Sequence, residues 1–501
     1  MIVPTGFLPE EDQGAFFIEA QLPDAASLNR TLAATTGIEK AVMDRPWASS
    51  VITIAGFSMI DGLALSNKAL FIVSMKPYAE RTDASSSVFT AIGELRRIFS
   101  TTASAVAIPF NLPPIVGLGT GSGFEFQLQT LTGASPTELA TVARGLMIAA
   151  SREPRLAGVF TTYGSSTPQI DLKIDRDRAQ ALGIPISDIF SALQTTLGGA
   201  YVNDFNQFGR TWQVKVQADA ADRMTIDDVM RVRVRTPSGE LIPLRTLAEV
   251  ALITAPSSVI RYNNLRSVTL NGAPAAGFSS GEAIAAMEDV AKANLPTGYS
   301  FEWTGTALQE KAASGQTASI LGLAVLFAYL FLVALYESWM IPLGVLLSVA
   351  VGLFGAMVAL KLTGLDNNVF AQIGIVVLIA LAAKNAILIV EFAMERRRAG
   401  LSIVEAGTEA ADLRFRAVMM TSLAFILGLV PLVRATGAGA ATQRAVGTSV
   451  FGGMIAASLI GIFLIPGLYV IFQTVREKAH ALMDRSAKEP IAAEPEKLDG
   501  H

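Results

Sequence analysis

The chain contains no cysteine and only two histidines, His480 and His501. Without thiols it has no disulfide, no cysteine metal site and no thiolate nucleophile. Both histidines fall in a charged stretch near the C-terminal end, so the remainder offers neither a Ser/His/Asp triad nor an imidazole-ligated metal. Charge is also scarce. Asp, Glu, Lys and Arg make up 16% of the residues and the net charge is −4, which gives no basic footprint for nucleic acid. The run Gly117-Leu-Gly119-Thr-Gly121-Ser-Gly123 fits neither the dinucleotide nor the P-loop spacing and reads as a hinge. No cofactor, no metal and no enzymatic activity are expected. The first residues, Met1-Ile-Val-Pro-Thr-Gly6, lack the basic and apolar regions of a signal peptide, and no spanning helix is expected ahead of the soluble part.

What is abundant is apolar surface: 51% of the residues are hydrophobic. They are unevenly spread. Residues 1–318 read as soluble α/β material, and the apolar excess follows Ser319. In the first part, alternation and β-branched runs predict strands at 15–22, 51–57, 69–75 and 105–110, with helices at 26–42 and 86–100. The order is βαββαβ, a split βαβ sandwich. It repeats: strand 124–131, helix 135–152 and strand 159–163, then, after an interruption, strand 266–271, helix 280–293 and strand 299–304. The interruption, 169–257, is expected to hold a short helix (187–197) and strands at 212–218, 230–235 and 250–255.

Five apolar runs, 319–336, 341–362, 369–392, 417–433 and 446–472, reach or approach the ~20 residues that a bilayer demands. Five arginines lie in the 393–416 connection, and Arg476, Lys478, Arg485 and Lys488 follow the last run, so the positive-inside rule places both stretches in the cytoplasm. Residues 1–318 then lie outside, and the polar tail after Glu477 is expected to lack structure. The third run carries Lys384, Asn385 and Glu391 in its interior. An ionisable group at mid-membrane costs ~2.5–3.5 kcal/mol on insertion scales and marks an ion or proton path by default.

The segment Leu381-Ala-Ala-Lys384-Asn385-Ala-Ile-Leu-Ile-Val-Glu391-Phe392-Ala resembles the tenth transmembrane helix of the resistance-nodulation-division (RND) drug efflux pumps of Gram-negative bacteria. Other blocks match in the same order: Phe7-Leu-Pro-Glu-Glu-Asp-Gln-Gly14, Phe110-Asn-Leu-Pro113, Tyr201-Val-Asn-Asp204-Phe, Trp303-Thr-Gly-Thr-Ala-Leu-Gln309-Glu310, Ala334-Leu-Tyr336-Glu337-Ser338-Trp339, Met420-Thr421-Ser422-Leu-Ala-Phe425-Ile-Leu-Gly428 and Thr436-Gly-Ala-Gly439. Together they cover the chain to about Arg476.

The resemblance implies the C-terminal half of a twelve-helix pump: α+β porter subdomains in the periplasm with an inserted docking module, followed by an all-α bundle of five membrane helices. The expected bounds are 1–117 for the first porter subdomain, 118–167 with 258–306 for the second, 168–257 for docking, 319–473 for the membrane helices and 474–501 for the tail. A truncated or split reading frame is the expectation that follows. The family's proton relay falls by motif on Lys384, Arg414 and Thr421, with Asn385 beside them as a relay neighbour or a plain helix–helix hydrogen bond. The acidic partners would belong to the N-terminal half, and Glu391 lies too near the cytoplasmic end to replace them. Phe57, Phe71 and Phe110 map to an aromatic substrate pocket, or to sheet core. The loop 58–68 departs from the family's glycine-rich composition, which puts the substrate range in doubt.

Implied partners are hydrophobic or amphiphilic small molecules, protons, the N-terminal half, a periplasmic adaptor and an outer-membrane channel, in a homotrimer in the inner membrane. Two other readings stand beside this one: a non-transporting envelope interaction subunit, and an RND relative that exports lipids.

Overall fold

The computed structural model describes residues 3–101, 105–115 and 117–486 of the chain. Internal contacts divide it into two compact units, Met1–Tyr163 with Val259–His501, and Gly164–Ser258.

The first unit begins with β1 (Ala15–Gln21), α1 (Leu28–Met43), β2 (Ala48–Ala55), β3 (Lys68–Met75), α2 (Val88–Phe99) and β4 (Val106–Asn111). Ser27 and Ser87 start the two helices by accepting a backbone N–H of the first turn. The strands form an antiparallel sheet in the order β2-β3-β1-β4. Residues paired across an antiparallel ladder share a face. Phe16, Ile18, Phe71 and Val73 thus point together into a core closed by Ile38 and Val42 of α1 and Ile92 and Leu95 of α2.

The chain continues through β5 (Phe124–Thr130), α3 (Pro136–Ala150) and β6 (Leu156–Phe160) before entering the second unit. There it forms β7 (Thr167–Ile174), α4 (Arg176–Ala181), α5 (Ile186–Leu193), β8 (Ala200–Gln207), β9 (Arg210–Val216), α6 (Ile226–Arg231), β10 (Arg233–Arg235), β11 (Leu241–Pro243) and β12 (Ala248–Ala255). β7 pairs with β12, and a small core gathers Ile184, Ile189, Val234, Leu244 and Leu247. The strand expected at 230–235 is a helix up to Arg231, because Thr225 and Asp228 form a capping box that nucleates α6. β8 and β9 make an exposed hairpin. Its turn places Phe208 and Gly209 at positive φ, as a two-residue hairpin turn requires.

Back in the first unit come β13 (Arg261–Tyr262), β14 (Leu265–Pro274), α7 (Ser280–Asn294) and β15 (Tyr299–Thr304). The sheet β13-β14-β5-β15, with β6 on β14, repeats the first sheet's topology when the short β13 is set aside. Its core, Phe126, Leu128, Val268 and Leu270, is covered by α3 and α7.

Six helices complete the unit: α8 (Gly305–Tyr336), α9 (Ile341–Thr363), α10 (Val369–Arg398), α11 (Ile403–Val433), α12 (Ala440–Ala456) and α13 (Ile462–Ser486), the last two joined by a π turn. Counting that pair as one, five helices among the described residues are long and apolar enough to cross a membrane. The helices overrun the apolar runs. α8 starts at Gly305 and α11 at Ile403, where Ser402 and Glu405 form a capping box, because backbone hydrogen bonding continues past the hydrophobic boundary. α13 likewise runs to Ser486, so the tail expected to lack structure is helical that far, and 487–501 lie outside the described residues.

Glycines let α9, α10 and α12 meet at their backbones. A Cβ on Gly452 would lie 2.1 Å from the Ala359 methyl, one on Gly453 2.1 Å from Leu378, and one on Gly374 2.2 Å from the Ser449 hydroxyl. Such contacts supply packing where lipid removes the hydrophobic drive.

Candidate functional site

Two places in the first unit carry the residues singled out from the sequence. The first is the α10–α11 seam. Asn385 is buried and donates from Nδ2 to Ser422 Oγ at 2.9 Å, so the helix–helix hydrogen bond is made. That bond fixes the level of Lys384 and Thr421, the residues next to its two ends. Thr421 returns its hydroxyl to Ala417 and Val418 of its own helix. Lys384 points the other way. With Ile373, Val377 and Ala380 it forms an exposed stripe along α10, and among the described residues it has neither hydrogen bond nor ion pair. The opposite face of α10, including Ile375, Ile379 and Ile389, is buried.

Arg414 stands two turns further along α11, ~10 Å at 1.5 Å per residue. Its guanidinium lies 4.7 Å from the Phe392 ring centre and that of Arg396 5.0 Å from the same ring. Both are cation–π contacts. The Nε atoms of Arg396 and Arg414 are buried and have no hydrogen-bond partner among the described residues. The seam therefore brings Lys384, Asn385 and Thr421 to one level and holds Arg414 at another.

The second place is the face of the first sheet that the helices leave open. Parity assigns it Phe17, Glu19, Ile52, Ile54, Leu70, Ile72, Val106, Ile108 and Phe110. It is apolar and partly bare, with Ile52 56% and Val106 64% exposed. Phe110 sits here, its ring 5.8 Å from Phe17 in an edge-to-face contact and tight against Gly121, where a Cβ would come within 2.7 Å. Phe57 follows the end of β2 and is half-buried in the β2–β3 loop. Phe71 is not with them. It is fully buried on the helix side, and its neighbour Ile72 takes the open face. The sequence reading missed Phe17 and Ile72. Alternation starting from Phe110 would have found both had the register been known.

Residues of the segments 7–14 and 110–113 also converge where the sandwiches meet the long helices. Glu11 accepts from the backbone N–H of Thr442 at 2.8 Å, its hydroxyl at 2.7 Å and the N–H of Ala441 at 3.3 Å, capping the first turn of α12. Asn111 Nδ2 donates to the Glu11 carbonyl at 2.9 Å. Asp12 binds Arg81 and accepts the Gly14 and Val88 amides. Burial pushes its carboxyl up, but those bonds outweigh it and hold the group below the usual carboxylate range. Beside this junction a cavity of about 440 Å³ is lined by Phe7, Glu10, Phe278 and Glu310 among others, and burial raises the Glu10 carboxyl despite Ser122 and Arg96. Among the described residues no cluster of His, Cys, Asp and Glu is placed to hold a metal.

The sequence model of the AcrB/AcrD/AcrF family matches residues 1–473. The chain is 40% identical over 470 residues to the toluene efflux pump membrane transporter TtgB of Pseudomonas putida, an alignment covering 93% of this chain and 44% of that relative. It is 39% identical to the multidrug export protein AcrF of Escherichia coli (strain K12), over 94% of this chain and 46% of AcrF. It is also 39% identical to the multidrug resistance protein MdtF of the same strain, over 94% of this chain and 45% of MdtF. The chain thus spans less than half the length of the curated relatives it matches.

Proposed function

Because this chain belongs to the AcrB/AcrD/AcrF family of RND efflux transporters, we propose that it is the C-terminal half of a proton-driven inner-membrane permease for hydrophobic or amphiphilic compounds. The observation that carries the reading is Lys384, a cation with no ion pair among the described residues, exposed on one stripe of α10 with Ile373, Val377 and Ala380. Such a charge needs a carboxylate, and the helices of an N-terminal half would supply it. An ammonium that pairs with an ionised carboxylate and releases a protonated one is a two-state element driven by protons. Lys384 is the switch in this reading, Asn385 and Thr421 set its level, and Arg414 stands toward the cytoplasmic end.

The sandwiches 1–117 and 118–167 with 258–306 act as the porter subdomains outside the membrane, and 168–257 as the docking module, with 319–473 in the bilayer and 474–501 beyond it. Substrate meets the open face of the first sheet, where Phe110, Phe17 and Ile72 form the wall and Phe57 the edge; Phe71 holds the wall from behind. Apolar walls with few polar groups bind many ligands loosely, as polyspecific export requires. The exposed β8–β9 hairpin supports a partner of its own. A two-stranded ribbon is marginal in water, and contact with another copy in a homotrimer would bury Phe205, Phe208 and Trp212. A periplasmic adaptor and an outer-membrane channel complete the proposed assembly.

The reading is tested in cells lacking other RND pumps. This chain alone should leave them drug-sensitive. Co-expression with a matching N-terminal half should restore efflux, and Lys384→Ala should abolish it. Efflux by this chain alone, or a Lys384→Ala pump as active as the unaltered one, contradicts it; failure of every N-terminal half to restore efflux favours the interaction-subunit reading.

A further inference from the structure

One end of the open face is not open. Glu19 and Lys68 point out from β1 and β3 among the apolar residues, yet they are only 1% and 3% exposed, because the β2–β3 loop, residues 56–67, lies across them. The neighbouring Leu70 is buried with them. Under the loop Lys68 pairs with Asp61 and lies 3.6 Å from Glu19. Glu19 also accepts the Ile60 amide at 3.0 Å. Asp61 reaches outward as well, accepting from the Thr162 hydroxyl at 2.5 Å, and Thr162 follows β6 of the second sandwich. One loop residue thus bridges the two sandwiches.

The proton count in this cluster is informative. Ser58 Oγ lies 2.5 Å from Glu19 Oε1 and 3.0 Å from Asp61 Oδ2. A hydroxyl carries one proton and cannot donate along both contacts. Ser58 Oγ also accepts the Asp61 amide at 3.0 Å, and both of its carboxyl contacts become full hydrogen bonds when one of the acids holds a proton, Glu19 being the more buried of the two. A neutral Glu19 donates to Ser58, Ser58 donates to Asp61, and Asp61 is balanced by Lys68. No buried charge is then left alone, which is what burial demands. Burial raises the Glu19 carboxyl in spite of Ser58, Ile60 and Lys68, in keeping with that assignment.

We propose that Glu19, as a neutral acid, with Ser58, Asp61 and Lys68 forms a buried clasp that holds the β2–β3 loop shut over one end of the apolar face and ties it to the second sandwich at Thr162. Molecules larger than the uncovered strip reach the rest of the face only when the clasp opens. The gating role rests on the substrate reading above, whereas the clasp itself is a matter of the loop and can be measured without transport. It also gives a physical meaning to a loop that lacks the family's glycine-rich pattern: charges at its base fix what glycines would leave free.

The test uses the full cysteine-free chain in membranes, with Leu70→Cys as a buried reporter paired with Glu19 and two residues from Lys68 on the same face, and Ala143→Cys, in the core of the second sandwich, as a control for folding. Maleimide should label both slowly. Lys68→Met strands the Asp61 carboxylate, and because breaking a buried pair is strongly destabilising, it should speed labelling of Leu70→Cys at least about tenfold while Ala143→Cys stays slow. Glu19→Gln should change little, since the carboxamide still donates to Ser58 and accepts from Ile60. If Lys68→Met also exposes Ala143→Cys, Thr162→Val decides. It removes one hydrogen bond and should speed Leu70→Cys labelling about two- to tenfold. Unchanged labelling of Leu70→Cys in the folded variant, or a Glu19→Gln chain that labels as fast as Lys68→Met, overturns the clasp. A clasp that opens as described in a complete pump whose substrate range does not move would instead count against the substrate reading.

Discussion

The two sandwiches share a topology and differ in the face turned away from their helices. In the first sheet that face carries Phe17, Ile52, Ile72, Ile108 and Phe110. In the second it carries Gln127, Gln129, Thr269, Asn271 and Glu302, with Gln127 and Thr269 exchanging side-chain hydrogen bonds at 3.0 and 3.1 Å. The buried faces are alike: Phe16, Ile18, Phe71 and Val73 in one, Phe126, Leu128, Val268 and Leu270 in the other. A fold needs only one apolar face per sheet. The second sandwich adds only Phe160 of β6 beside Asn271 among these polar residues, whereas the first has apolar surface left over on all four strands, and surplus apolar surface beside a loop that covers one end of it is what a ligand site requires.

The equivalence of the cores can be broken by truncation. Phe71→Ala and Phe126→Ala should each cost ~3–5 kcal/mol of stability, read as a lower unfolding temperature or reduced protein level. If Phe71→Ala instead left stability intact and lowered efflux alone, Phe71 would belong to the pocket after all.

On the faces turned away from the helices the two sheets should part. In a complete pump, Ile72→Asp or Phe110→Ala should weaken efflux of bulky apolar compounds about tenfold, because each removes part of an apolar wall whose full burial is worth ~1.5–3 kcal/mol. A smaller change is expected from Gln127→Leu, which gives up a cross-strand hydrogen bond worth ~0.5–1.5 kcal/mol and should lower the unfolding temperature slightly without touching efflux. Loss of efflux in Gln127→Leu at normal protein level would erase the functional contrast between the sheets.

The smallest effect concerns pH, and it separates two acids of the first sandwich. The Asp12 carboxyl is held low, so its contribution is present above the ordinary Asp value and lost as pH falls through the folded one. The Glu19 carboxyl is raised, so its contribution is present below the ordinary Glu value and lost as pH rises through the folded one. Unfolding measured against pH should therefore lose part of its acid-side slope in Asp12→Asn and part of its higher-pH slope in Glu19→Gln. The same slopes in both variants would remove the distinction.

How much of this was legible in the sequence depended on how sharply a residue departs from its surroundings. Lys384 and Asn385 stand out because they interrupt an apolar helix, although only Asn385 reaches into the seam and Lys384 faces away from it. The repeated βαββαβ order could be read because the strands are separated by helices of ordinary length. Phe71 could not be placed. The run Ala69-Leu-Phe-Ile-Val-Ser-Met75 is apolar on both faces, so period two leaves no mark, and only the ladder with β1 reveals that Ile72 rather than Phe71 meets Phe110 across Phe17. The α6 helix was misread for a related reason: Val229, Met230 and Val232 look like a strand until the Thr225 cap is weighed. The clasp was invisible because Glu19 and Lys68 are 49 residues apart and meet only through strand pairing.

The most direct measurement is photolabelling of a complete pump, containing this chain and a matching N-terminal half, by a bulky apolar substrate carrying a photoreactive group. Adducts are expected on β1, β3 and β4 of the first sheet, lost on addition of unlabelled substrate and lost in Phe110→Ala, with none on Gln127, Gln129 or Thr269 of the second sheet. Adducts on Gln127, Gln129 and Thr269 as abundant as those on the first sheet, or confined to the second sheet, would contradict the contrast between the sheets.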